Sequence, residues 1–286
     1  MKKEPYTAMY FVFLILLSYT LMLLFIYPVL NELSWIITTH ILYILTLLFW
    51  WIATFRDPGY LKKSDKLDFI TLVERFEPGC LCPKCHVIRT PRSRHWNIWD
   101  KCVERFDHHW PWIDNWIGTR NHGAFLMFLI CIHILLLILV LQITFNFSAV
   151  LEYDPTFERH IGFILPERIV TNIVIYKGIW SILLIVGTFF WLLMNILLYT
   201  QIMNFLSNQT MNERYGAKSK RPIELNNSEK SFIENDAQAA LLRNASIDST
   251  VEPSKRSRWY NFFIMLKGSE NKNQYKLFME SMKRAG

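Results

Sequence analysis

Cys82 and Cys85 stand two residues apart in the run Cys82-Pro83-Lys84-Cys85, and His95 and Cys102 follow at longer intervals. Two thiolates at that spacing can hold one Zn²⁺ from a single knuckle turn, and a distant His and Cys complete a closed tetrahedron of the structural Cys₃His kind. The competing reading makes Cys85 and Cys102 small core fillers and His95 a surface residue. No βαβ pattern surrounds the CxxC, which argues against a redox role. Five positions past Cys102 comes Asp107-His108-His109. A carboxylate beside two imidazoles on one turn can supply a general base, the group that orients it and a metal ligand. By itself the same tripeptide also describes a solvated surface turn.

Four apolar runs bracket these groups: Met9–Leu30, Trp35–Phe55, Phe125–Phe145 and Ile173–Thr200. Each has the roughly 20 residues needed to cross ~30 Å of hydrocarbon. None contains Asp or Glu, and the one formal cation, Lys177, lies near an end, where its stem can snorkel to the headgroups. The first run is too long for a signal-peptide core and no small-residue cleavage site follows it, so it is expected to remain as an anchor. Within lipid the runs must be helices, since backbone amides have no other partner short of a closed barrel. The expected fold is an all-α membrane protein: four transmembrane helices, with a small zinc-binding cysteine-rich cytosolic domain between spans 2 and 3. A composition of 52% hydrophobic residues beside a net charge of +7 fits such a segregated chain.

Orientation follows from the Lys and Arg between the spans. Arg56–Gly123 carries twelve and Gln201–Gly286 fourteen, whereas Ser148–Asn172 has only Arg159 and Arg168 against four acidic residues. Lys2 and Lys3 precede the first span. Both termini and the middle segment are therefore expected in the cytosol, with Asn31–Ser34 and Ser148–Asn172 on the other side. Anionic lipid accounts for the remaining basicity; no nucleic-acid motif is present, and none is expected as a partner. Of the five cysteines, Cys80, Cys82, Cys85 and Cys102 fall in the cytosolic segment, where thiols stay reduced and serve metals or catalysis. Cys131 lies within the third span and reads as a packing residue.

The expected division is residues 1–55 for spans 1 and 2, 56–123 for the zinc-binding domain, 124–200 for spans 3 and 4, and 201–286 for a cytosolic tail. The insert is rich in Pro and Gly and poor in core aliphatics, so a metal is needed to staple it. After the last span, Arg214–Ser257 is polar and reads as a linker. The aromatic patch Arg258–Leu266 is either an interfacial amphipathic helix or an element packed on the insert, and packing on the insert is the reading preferred here. His40 and His133 inside spans read as packing residues, and Asn195 as a hydrogen-bonding partner for another helix.

CPKC, then RTPRSRH, then DHHxPWxxNxxGxxNxxxF resembles, at nearly every position, the cysteine-rich domain of the DHHC protein S-acyltransferases. Asp57-Pro58-Gly59 after the second span, Thr210-Met211-Asn212-Glu213 after the fourth, and Asn261 with Phe262 and Phe263 agree with further motifs of that family. The resemblance implies transfer of a long-chain fatty acyl group from acyl-CoA to a Cys of the enzyme, then to cysteines of substrate proteins at the cytosolic face. It implies His108 as proton acceptor, Asp107 as its orienting group, one Zn²⁺ on Cys82, Cys85, His95 and Cys102, and a second on His109. The spans would hold the acyl chain. Such proteins are multi-pass proteins of the endomembrane system (Golgi or ER) or plasma membrane, in contact with membrane lipids.

Five positions depart from the pattern. The nucleophile position is Trp110, and the other three ligands of the second zinc fall at Trp96, Trp99 and Trp116. An indole forms no thioester, and its N–H is a donor only. Met211 replaces one Thr of the paired-Thr motif, and a thioether cannot donate the hydroxyl hydrogen bond expected to seat Asp107. Either these are true tryptophans in a catalytically inactive scaffold, or UGA codons meaning Cys stand here as Trp. That every lost Cys became Trp favours the codon reading; loss of one functional unit as a whole favours the scaffold. A membrane-tethered zinc-binding module unrelated to acylation is a third class.

Overall fold

The computed structural model describes residues 6–27, 32–63, Ile70, 81–89, 92–97, 99–151, 173–216 and 258–267. Cys80, most of Ser148–Asn172 and residues 217–257 of the expected linker lie outside the described residues.

Among the described residues, four helices are long and apolar enough to cross a membrane: Tyr6–Ile26, Leu33–Phe55, His122–Phe147 and Lys177–Ser207. The first is helix α1 (Tyr6–Leu21) with a π turn, Met22–Ile26, at its end. The others lie in α2 (Leu33–Phe55), α3 (His122–Leu151) and α4 (Ile173–Ser207). All are apolar around most of their circumference, as lipid-facing helices must be. Phe13, Ile44, Ile185 and Ile196 are more than half exposed in the isolated chain, where hydrocarbon would cover them. Inward-facing Phe11, Trp50, Phe128 and Trp180 form the bundle core. Cys131 is buried as expected.

Polar side chains within the bundle follow two rules. Some join helices: Gln142 donates to Thr39 at 2.9 Å, and Ser18 meets the Tyr43 hydroxyl at 3.2 Å. His40 pairs with Tyr27 at 2.8 Å, and His133 stacks on Trp191. Others return to their own helix. Asn195 donates to the Trp191 carbonyl one turn back, at 2.9 Å, and not to another helix as the sequence suggested. A short amide side chain reaches the i−4 carbonyl more readily than a neighbouring helix.

Between α2 and α3 lie three two-stranded antiparallel hairpins: β1 (Leu81–Cys82) with β2 (Val87–Ile88), β3 (Arg94–Trp96) with β4 (Lys101–Val103), and β5 (His108–Trp110) with β6 (Asn115–Ile117). Pairs this short do not hold by their ladders; they are tied to the spans. The Asn115 amide donates to the carbonyls of Ala53, Thr54 and Arg56 at 3.0–3.1 Å, filling acceptors that the end of α2 leaves open. Asn121 donates to Ala53 and Trp116 carbonyls and accepts from the Gly118 amide. Asp57 accepts from the amides of Gly59 and Tyr60 and pairs with Arg120 at 2.8 Å. Gly59, at φ +110°, sits where a side chain would be strained.

Helix α4 runs to Ser207, past the apolar run that ended at Thr200; Gln201, which reaches Asp107 of the insert, and Asn204 are both buried and not solvated. A short helix α5 (Met211–Gly216) follows at once, where the sequence placed the start of a linker. Helix α6 (Arg258–Lys267) packs chiefly on α3 and α4, whereas the sequence favoured the insert. Met265, Phe262 and Leu266 meet Leu126, Ile130, Ile202 and Phe205. Gly123 makes this possible, since a Cβ there would come within 2.4 Å of the Leu266 carbonyl oxygen. Asn261 donates to the Leu206 carbonyl at the end of α4.

Candidate metal centre and active site

The β3–β4 register sets His95 directly across from Cys102. Cys82 ends β1 and Cys85 lies in the following turn, which the His86 amide closes on the Cys82 carbonyl at 2.8 Å. All four ligand atoms lie within 4.8 Å of one another. The Nδ1 of His95 faces the thiols, at 3.4 Å from Cys82, 3.1 Å from Cys85 and 3.7 Å from Cys102. Its Nε2 points to the Asp100 carboxylate at 3.7 Å, the outer contact that orients a ligating imidazole. Burial, with the Cys82 and Cys85 thiols alongside, pushes the Cys102 thiol well up. Three thiols so crowded are held as thiolates most readily by a cation, so the cluster fits a metal ion, and its donor set is that of a structural zinc site.

The hairpin β5–β6 carries the second constellation. Asp107, fully withdrawn from solvent, holds His108 Nδ1 at 2.6 Å through Oδ2. Its other oxygen, Oδ1, accepts the main-chain N–H of Met211. Burial works to raise this carboxyl; the imidazoles of His122 and His108 and the Met211 amide outweigh it and bring the group down to about 2. An ionised Asp on Nδ1 leaves Nε2 of His108 as a free acceptor, the state a general base needs. The His108 and Trp110 rings lie 5.8 Å apart, and both lean on Phe125 at the start of α3. Helix α1 closes the far side: Thr7 donates to the Pro111 carbonyl at 2.6 Å, and Tyr10 stacks on Trp112. Trp50 donates to the Trp112 carbonyl at 3.1 Å.

His109 is turned away from the dyad, into a ring cluster. Trp116 stands opposite it in the ladder, fully buried, with Trp99 at 4.4 Å and Tyr60 at 5.6 Å. Trp99 also meets His109, and Trp96 stacks on Phe106 at 5.3 Å. Positions 99, 109 and 116 thus do meet, with Trp96 in the same apolar cluster, but one imidazole and three indoles cannot coordinate an ion. The residues present do not fit a second metal. Trp116 Nε1 is buried with no hydrogen-bond partner among the described residues.

Several positioning groups escaped the sequence reading. Thr210 and Glu213 form a reciprocal capping box at the start of α5: the Glu213 amide donates to the Thr210 hydroxyl, and the Thr210 amide to the Glu213 carboxylate. Arg92 grips Glu213 with two bonds, at 2.5 and 2.6 Å. Arg94 donates to Asn212, and Arg105 and Arg92 to Asn208. Partial burial works to raise the half-buried Glu213 carboxyl, but Arg92 outweighs it and holds the group below its ordinary value. The T/S-x-x-E pattern was a readable signal for the cap; nothing in the sequence pairs Arg92 with residue 213. Gln201 and His122, also buried, contact Asp107 from the membrane side.

A family model described as DHHC palmitoyltransferase matches residues 75–218, just over half of the chain. Among curated proteins, Palmitoyltransferase Hip14 of Drosophila melanogaster is 36% identical over 103 residues, which is 32% of this chain and 16% of that protein. Palmitoyltransferase ZDHHC14 of Homo sapiens is 31% identical over 137 residues, 46% of this chain and 24% of that protein. Palmitoyltransferase ZDHHC4 of Bos taurus is 33% identical over 102 residues, 34% of this chain and 30% of that protein. The matched stretches are thus under a third of these relatives' lengths. The match takes in both the thiol cluster and the His108–Asp107 pair and ends just beyond α5, and on it the chain belongs to the DHHC palmitoyltransferase family.

Proposed function

We propose that the protein is a cytosol-facing protein S-acyltransferase that moves a long-chain acyl group from acyl-CoA to cysteines of substrate proteins. The observation that carries this is the buried Asp107 carboxylate on Nδ1 of His108 beside residue 110, where the insert meets the spans. Zinc on Cys82, Cys85, His95 and Cys102 would hold the hairpins that present this pair. The Lys/Arg balance supports a cytosolic place for both termini and residues 56–123, and the family resemblance supports an endomembrane or the plasma membrane as the site.

The chemistry requires a thiol at position 110. His108 Nε2 would take its proton, and the thiolate would attack the acyl carbonyl. The carbon–sulfur bond to CoA breaks, and the CoA thiolate leaves with that proton. A substrate Cys then attacks the enzyme thioester, passing its proton through His108 to the departing thiolate. Trp110 cannot do this, so the proposal includes cysteine, encoded by UGA, at positions 96, 99, 110 and 116. The uniform replacement by Trp supports it, as does the meeting of Trp99 and Trp116 with His109, with Trp96 in the same apolar cluster and the Trp116 N–H buried without a hydrogen-bond partner among the described residues.

A second reading, an inactive scaffold of the same family, has the closed ring packing of Trp96, Trp99 and Trp116 in its favour. Two measurements separate the readings. Peptide masses from the native protein report Cys or Trp at the four positions directly. Acyl-CoA labelling of the expressed chain should give no hydroxylamine-sensitive adduct, and Trp110→Cys alone should recover little. The four-fold Trp→Cys chain should become labelled, and His108→Ala should remove most of that label. A folded, metal-loaded four-fold variant that takes no label would sink the enzyme reading in favour of the scaffold.

A further inference from the structure

At Oδ2 of Asp107, the oxygen that also holds His108, two fully buried residues from different spans meet. Gln201 of α4 donates its amide N–H to Asp107 Oδ2 at 3.3 Å, and its Oε1 lies 3.2 Å from His122 Nε2 of α3. That nitrogen is also 3.6 Å from Oδ2. Both neighbours of His122 Nε2 are acceptors, so the hydrogen must sit on Nε2. Nδ1 is then a bare acceptor, consistent with its having no partner among the described residues. The Phe205 ring packs on the imidazole at 4.6 Å and leaves it little room to turn.

The orientation propagates through one chain of bonds. His122 Nε2–H fixes the Gln201 amide with its oxygen toward α3 and its N–H toward Asp107. Gln201 and the Met211 amide then pin the two carboxylate oxygens from opposite sides. With the carboxylate unable to swing, Oδ2 stays on Nδ1 of His108, which fixes that imidazole as the Nδ1–H tautomer. We infer that Gln201 and His122 are positioning residues that set the His108 tautomer through Asp107. The inference rests on the reading of His108 as general base. A purely structural role, tying α3 to α4, would account for the His122–Gln201 bond but not for the amide N–H aimed at the carboxylate.

The test uses the full chain in lipid nanodiscs with ¹⁵N-labelled histidine, reading His108 nitrogen shifts at one neutral pH. The parent should hold His108 as Nδ1–H. Gln201→Met, similar in shape but without a donor, and His122→Phe should both give mixed tautomers. His122→Gln, which restores an N–H toward Gln201, should return the parent pattern. In the four-fold Trp→Cys background, Gln201→Met should cut the rate of enzyme acylation at least about tenfold with KM for acyl-CoA unchanged. Parent-like shifts in folded Gln201→Met and His122→Phe would overturn the inference and leave the His108–Asp107 pair standing. A parent already in the Nε2–H form would overturn the pair itself, and this inference with it. Should Gln201→Met not fold, the contrast between His122→Phe and His122→Gln decides.

Discussion

The main-chain N–H of Met211 donates to Oδ1 of Asp107, across 104 positions of sequence. The sequence pointed to a hydroxyl at 211 as the group that seats this carboxylate, and to Met as a loss. An amide performs the task instead, and every residue but proline has one. What position 211 must supply is therefore the first turn of α5, held in place by the Thr210–Glu213 cap and by Arg92.

This separates two substitutions. Met211→Thr should change stability and labelling of the four-fold Trp→Cys chain by less than about twofold. Met211→Pro keeps the helix, because proline suits the first helical position, yet removes the main-chain donor to Oδ1 of Asp107. Losing a hydrogen bond to a buried carboxylate costs roughly 1.5–3 kcal/mol. Thermal unfolding should register that loss, and labelling should fall with it. Equal effects of the two variants would contradict the main-chain assignment.

Asp107 also predicts an acid limit. Its folded value, about 2, lies below its ordinary 3.8. The ionised group therefore stabilises the fold fully above about pH 4, and the contribution fades as pH falls from there towards 2. The span of the shift corresponds to about 2 kcal/mol. Denaturation of the parent and of Asp107→Asn, compared from pH 6 to pH 2, should show a stability gap that narrows within that window. A gap that stays constant throughout would refute it.

Metal removal should act on the hairpins before the spans. Cys82→Ser with Cys85→Ser should abolish bound zinc, one ion per chain, and open the insert to protease while the membrane helices remain. The reason is that β1–β4 are two- and three-residue strands with few core side chains beyond the thiols. In the four-fold Trp→Cys chain the same analysis should find two ions in the parent and one after the double Ser change. Zinc retained by the double Ser variant of the expressed chain would mean that other ligands hold it.

Gly123→Ala tests the docking of α6. A methyl there meets the Leu266 carbonyl oxygen at 2.4 Å, a main-chain contact that cannot relax by a side-chain rotation. The helix should lift from α3 and α4, exposing Met265 and Phe262, and proteolysis or hydrogen exchange in residues 258–267 should quicken by tenfold or more, about 1.4 kcal/mol. Gly178→Ala, with nothing within 4 Å, is the matched control and should leave α6 unchanged.

The sequence by itself determined the four spans, because burying polar backbone in hydrocarbon leaves a helix as the one open solution for an isolated apolar run. It also determined the first metal site, since Cys82 and Cys85 meet within one turn whatever the rest of the chain does. His95 and Cys102 were legible for a similar reason: they are seven residues apart and face each other across one hairpin. Contacts over more than ninety residues were not legible. Arg92 meets Glu213, Gln201 meets Asp107, and Gly123 admits Leu266 only because α3 and α4 pack side by side and bring the tail back against the insert. Packing on this scale turns on side-chain volumes and vacant acceptors at helix ends, such as the Ala53, Thr54 and Arg56 carbonyls around the end of α2 that Asn115 fills. Local spacing carries no record of those, so the tertiary structure alone decided which polar residues hold Asp107 and where α6 lies.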